Sequence, residues 1–123
     1  MAFLNDRVFD NGLTVLDTEA NKILITSAEP ATYTEANATY ALGNSTSLSI
    51  GAPQDRTGGG REVVVAAVTD GTVTATGTAT HYAIVDTVNS RLLAAGALTS
   101  SQVVTSGNTF TLTSVTIGIP DPA

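Results

Sequence analysis

The sequence predicts an all-β protein, a single antiparallel β-sandwich or small barrel, on three observations. Threonine supplies about one residue in six, and Thr and Val are the side chains that a pleated, half-exposed surface selects. Thr72 to Thr80 alternates strictly, with Thr at even positions and Val73, Ala75, Gly77 and Ala79 at odd ones, which is the two-residue period of a strand. Turn signals recur about every ten residues along much of the chain, the spacing of a sandwich or barrel.

The 123 residues have the size of one domain, and a chain this long buries roughly two thirds of its unfolded surface. Aromatic residues are 5% of the chain and Trp is absent, so the core is expected to consist of small and β-branched side chains. Cys is also absent, which rules out disulfides and thiolate metal sites.

Residues 1–12 read as an arm and 13–123 as the β-domain. Phe3, Leu4, Val8 and Phe9, with Arg7 among them, put apolar side chains where most chains fray, so the arm is expected to dock on its own domain or on a neighbour. Asp10-Asn11-Gly12 is a turn signal. Leu13–Leu16 and Ile23–Thr26 are strand candidates. Residues 32–39 form at most one short helical turn, with Thr32 as cap and Glu35 three positions on. Leu42, Leu48 and Ile50 fit a further extended segment. Residues 51–61 read as a loop around Gly58-Gly59-Gly60, and Arg56 and Arg61 are its candidate contact residues.

Beyond the loop the β signal strengthens. Glu62–Val68 is apolar on both parities, as in a strand covered on both faces. Asp70-Gly71 marks a hairpin. His81–Asp86 turns at Val88-Asn89-Ser90 and returns along Arg91–Leu98. Near the end the apolar parity changes from even at Phe110 and Leu112 to odd at Val115, Ile117 and Ile119, which calls for a bulge or a change of sheet near Thr113-Ser114. Pro120 and Pro122 end the ladder, because they cannot donate a backbone hydrogen bond.

Composition removes several classes of function. A net charge of -6 with five scattered basic residues offers no patch for nucleic acid, whose binding rests on clustered Lys and Arg. No apolar run is long enough for a membrane-spanning helix, and the first residues lack the basic-then-apolar pattern of a secretory signal, so export by that route is not expected. His81 is the one histidine; strand parity puts Asp86 on the opposite face, and a packed structural histidine is the expected role. The glycine run lacks the Lys-Ser or Lys-Thr that a phosphate loop needs. Asp6, Asp10, Asp17 and Glu19 lack the alternating spacing of a calcium loop. Asn37-Ala38-Thr39 and Asn44-Ser45-Thr46 match the glycosylation pattern, which carries little weight without a signal for export. No catalytic, cofactor-binding or metal-ligating set emerges, and no enzyme is expected.

The stretch Asp70–Asp86, followed by Leu92-Leu93-Ala94-Ala95-Gly96 and Phe110-Thr111-Leu112, together with the opening Ala2–Val8 and Asp10–Leu13, resembles small β-domain structural proteins of tailed bacteriophages. The resemblance implies a virion component of the capsid decoration or cement type, assembled in the host cytoplasm on the outer capsid surface. There it bridges subunits of the major capsid protein and forms a homo-oligomer, a trimer before a dimer. It implies no catalytic residues and no cofactor. The expected contacts are Phe3, Leu4, Arg7, Val8 and Phe9 of the arm and Arg56 and Arg61 of the loop. A tail or baseplate accessory protein is the alternative. A carbohydrate-binding adhesin ranks lower, because it needs exposed aromatic platforms that this chain supplies poorly.

Overall fold

The computed structural model describes the backbone of residues 6–120 and the side chains of residues 11–120. The all-β class holds, with a curled antiparallel half-barrel sheet and a small second sheet. These sheets belong to two compact units, one built from residues 20–48 and 68–112, the other from the N-terminal helix with residues 49–67 and the C-terminal strand.

The first unit holds a six-stranded sheet in the order β7-β6-β1-β2-β5-β8. Its strands are β1 (Lys22–Thr26), β2 (Ala41–Ser45), β5 (Val68–Val73), β6 (Gly77–Asp86), β7 (Arg91–Val104) and β8 (Thr109–Leu112). Every pairing is antiparallel. β1 pairs with β6 without interruption from Lys22↔Val85 to Thr26↔His81, and Ile23, Leu24, Ile25 and Thr26 are all buried. Both parities are apolar because both faces are covered. On one face Leu24, Ala83 and Val85 pack with Ala36, Tyr33, Ala41 and Leu92; on the other, Ile23 pairs with Ile84 and Ile25 with Gly43.

Ala36 comes from the short helical turn expected around residues 32–39. The Glu35 backbone N–H donates to Thr32 Oγ1 at 3.1 Å, and the Glu35 carboxylate accepts from the Ala31 N–H at 2.9 Å, a reciprocal cap displaced by one residue from the usual box. The turn is wide, a π-helix over Glu35–Thr39, closed by Tyr40 N–H to the Glu35 carbonyl at 2.8 Å.

Curling of the sheet follows from the shortness of one link. β5 and β6 are separated by β2 and β1, a distance of about 14 Å in a flat sheet, yet only residues 74–76 join them. Four residue steps at full extension reach about 14 Å and no further, so a bent connection requires a bent sheet. The Thr74 and Ala75 N–H groups both donate to the Leu42 carbonyl, at 2.8 and 3.1 Å, and Gln102 Nε2 of β7 reaches the Thr111 carbonyl of β8 at 3.2 Å. The two edge strands thus approach each other at one end.

The second unit contains helix α1 (Asp6–Glu19) and a sheet in the order β3-β4-β9, with β3 (Gln54–Asp55), β4 (Arg61–Val65) and β9 (Val115–Ile119). Helix α1 corrects two expectations. Leu13–Leu16 is not a strand and Asp10-Asn11-Gly12 is not a turn; both lie within the 14-residue helix, which also exceeds the single helical turn expected. Leu13 and Leu16 are buried while Thr14, Val15 and Asp17 are exposed, and a three-residue step is the period of a helix face.

Two further readings change. Residues 51–61 are not an irregular loop but contain a hairpin, Gln54↔Glu62 and Asp55↔Arg61, and the three glycines at its tip have φ between 92° and 104°. Asp70-Gly71 is not a hairpin turn: it lies inside β5 at a register shift, where Gly71 makes room for the Phe110 ring. The alternation from Thr72 to Thr78 persists in exposure although residues 74–76 interrupt the strand. The hairpin after Asp86 is present, with Asp86↔Arg91 closing it. The change of parity near Thr113-Ser114 is a change of sheet, from β8 to β9.

Two stability measurements check these packing arguments. Ile25→Ala is expected to cost about 2–5 kcal/mol in urea unfolding, by loss of burial and the cavity left behind. Gly12→Ala is expected to gain about 0.5–1 kcal/mol, since Gly is that much worse than Ala within a helix and an added Cβ would meet only Ile119 Cδ1, at an ordinary 3.7 Å.

Candidate interaction surface

The seven residues expected to make contacts fall into three groups. Phe3 and Leu4 lie outside the described residues. Arg7, Val8 and Phe9 lie on the first turn of α1, so the arm from residue 6 onward is helical. Arg56 and Arg61 lie at the β3–β4 hairpin, where both are tied to their own turn.

The hairpin explains their placement. Positive φ at Gly58, Gly59 and Gly60 lets the chain reverse between Arg56 and Arg61. Gly60 is also pressed against the backbone of Ile119 and Pro120, leaving no room for a Cβ. Arg56 Nη1 donates to the Gly59 carbonyl at 3.1 Å. Arg61 Nη1 meets Asp55 Oδ1 at 2.6 Å and Nη2 donates to the Pro53 carbonyl at 3.2 Å. Asp55, Thr57 and Gly58 remain exposed. The tip is thus a held shape, with its two cations bound from within.

Among the described residues, no three His, Asp or Glu side chains converge as a metal site would require, and no helix is long and apolar enough to cross a membrane. His81 Nδ1 lies 2.8 Å from the neighbouring Thr80 hydroxyl. Lys22 Nζ donates to Asn37 Oδ1 at 3.1 Å. Asp70 accepts from the hydroxyls of Ser45 and Ser47, at 3.2 and 2.9 Å.

Asp86, which is buried, organises the β6–β7 hairpin. It accepts from Asn89 Nδ2 at 2.8 Å and from the Val88 and Asn89 N–H groups at 2.9 and 3.3 Å. The Asn89 side-chain hydrogen bond, helped by the two backbone donors and by the Arg91 charge, holds its carboxyl below the ordinary carboxylate range, against the opposing effect of burial. Tyr40 is shifted upward, first by its hydrogen bond to Glu35 and then by that residue's charge.

Charge is distributed unevenly along the chain. From Leu92 to Pro120 there is no Asp, Glu, Lys, Arg or His, a run of 29 residues that supplies nearly all of β7 and the whole of β8 and β9. β7 and β8 are the outer strands of one sheet, β3 and β9 of the other. Among the described residues, the uncharged outer strands β8 and β9 each have one edge without a strand partner, and no charge on them to deter pairing. The absence of charge was legible in the sequence; that it coincides with sheet edges was not.

Compared with known proteins, the chain matches no family model, no curated protein and no solved structure.

A carboxyl with a depressed folded pKa contributes stability at pH values above its unfolded pKa, and that contribution disappears as the pH falls through the folded value. Asn89→Ala is therefore expected to raise the Asp86 pKa and to weaken the protein at neutral pH while leaving it nearly unchanged in strong acid. Carboxyl NMR titration and urea unfolding at the two pH extremes measure both effects.

Proposed function

We propose that this chain is a structural protein of a bacteriophage virion, a decoration or cement protein that binds the outer capsid surface and stabilises the head by bridging major capsid subunits. The observation that carries the reading is the resemblance of Asp70–Asp86, the segments after it and the opening residues to such proteins. The surface is consistent with adhesion: rows of exposed Thr, few charges, and outer strands in each sheet, β8 and β9, that carry no charge. A cement protein requires no single strong site, because contacts repeated by the symmetry of a shell add through avidity. The helix N-terminus around Arg7, Val8 and Phe9 and the exposed tip of the β3–β4 hairpin are the candidate capsid contacts. Arg56 and Arg61 serve this role by fixing the tip, and not as extended charges.

Co-sedimentation with capsids that lack the protein tests the assignment. Saturation at a copy number matching the capsid lattice is expected, with increased resistance of the heads to heat or chelation. Binding confined to a few copies at the tail would overturn it in favour of a tail accessory protein. Removing residues 1–5 leaves α1 whole and isolates the contribution of Phe3 and Leu4, for which about a tenfold or greater loss of capsid affinity is expected, in the range of an interface anchor.

A further inference from the structure

We propose that β9 is a self-association edge, through which two copies of the chain join by antiparallel β9–β9 pairing about a twofold axis at Ile117.

The other three outer strands are blunted. β3 has two residues and β8 has four. β7 is long, but its pairing with β6 is interrupted at two places, between Ile84 and Val85 and between Ala79 and His81, and its far end is drawn to β8 by Gln102. Short edges and bulges are common devices against unwanted pairing. β9 has neither. Its register with β4 runs unbroken over five pairs, from Arg61↔Ile119 to Val65↔Val115. Its sequence, Val-Thr-Ile-Gly-Ile, contains no charge and no Pro, and Ile119 is among the exposed large apolar side chains.

A second copy is the occupant that the strand fits. Two chains of charge -6 repel, which favours pairing along an uncharged segment; β9 lies within the 29-residue run without charge, and the Arg56 side chain that lies beside Gly118 is turned to the Gly59 carbonyl of its own hairpin. The strand is also its own complement. A twofold axis at Ile117 sets Val115 against Ile119 of the second copy and Thr116 against Gly118, so apolar meets apolar on one face and small meets polar on the other. Pro120 helps to fix this register, because a slip toward the C-terminus brings a residue without an N–H into the ladder. Pairing would convert a three-stranded sheet into a continuous six-stranded one. This contact makes a dimer, whereas the resemblance to decoration proteins implies a trimer before a dimer.

The test uses the full chain, free of any capsid, so its outcome is independent of the decoration reading. Sedimentation equilibrium across a wide concentration range should show a monomer–dimer equilibrium. Thr116→Lys, at an exposed position, places two cations near the axis and should raise the dimer dissociation constant about tenfold or more. Thr116→Ser should leave it unchanged, and circular dichroism checks that both variants fold. Hydrogen exchange gives a second readout: the β9 amides that point away from β4 should be protected at high concentration and exchange rapidly on dilution. A monomer at all concentrations, a trimer, or a dimer that survives Thr116→Lys with those amides still exchanging rapidly would each overturn the proposal.

Discussion

Five register pairs between β1 and β6, and the burial of β1 on both its faces, are the constraint on which the larger unit depends. A strand covered on one side tolerates polar residues on the other, but Ile23-Leu24-Ile25-Thr26 allows no such compromise. One face requires a lid, supplied by the π-helical turn through Ala36 and Tyr33. The other requires the sheet to curl over it, which the short link between β5 and β6 enforces. Thr26, the one polar member, is satisfied by donating its hydroxyl to the Ala28 carbonyl at 2.8 Å, as a buried hydroxyl must be.

With few aromatic residues, the unit fills its interior by bringing backbones close together. Phe110 is the clearest case. Its ring lies over Gly71, which it faces across β5 and β8, and near Gly43 of β2, where an added Cβ would stand 2.6 Å from the Thr72 carbonyl and 3.1 Å from the ring. Two glycines on adjacent strands therefore make the space for one large side chain. Tyr82 lies across Gly96 in the same way, and burial raises its hydroxyl pKa.

These features suit a protein whose proposed work is contact. Three ionisable groups, Asp86, Arg56 and Arg61, are engaged in shaping hairpins. The surfaces available to the proposed partners include backbone at sheet edges, hydroxyl-rich faces and the tip of the β3–β4 hairpin. Each is weak alone, and an ordered array of copies is where weak contacts accumulate.

The sequence by itself determined the β class, the strand at Ile23–Thr26, the capped turn at Thr32–Glu35, the hairpin around Val88-Asn89-Ser90 and the break near Thr113-Ser114. Each of these rests on local chemistry: period, capping groups, turn residues or a switch of parity. Helix α1 was misjudged because Asn11-Gly12 is a strong local turn signal, and only burial of Leu13 and Leu16 on a shared face overrides it. Asp70-Gly71 misled for the same reason, since its glycine serves Phe110, 39 residues away in sequence. The engagement of Arg56 and Arg61 and the exposure of β9 were likewise beyond reach. Strand order and the closeness of distant backbones decide them, and no residue carries that information in its neighbours along the chain.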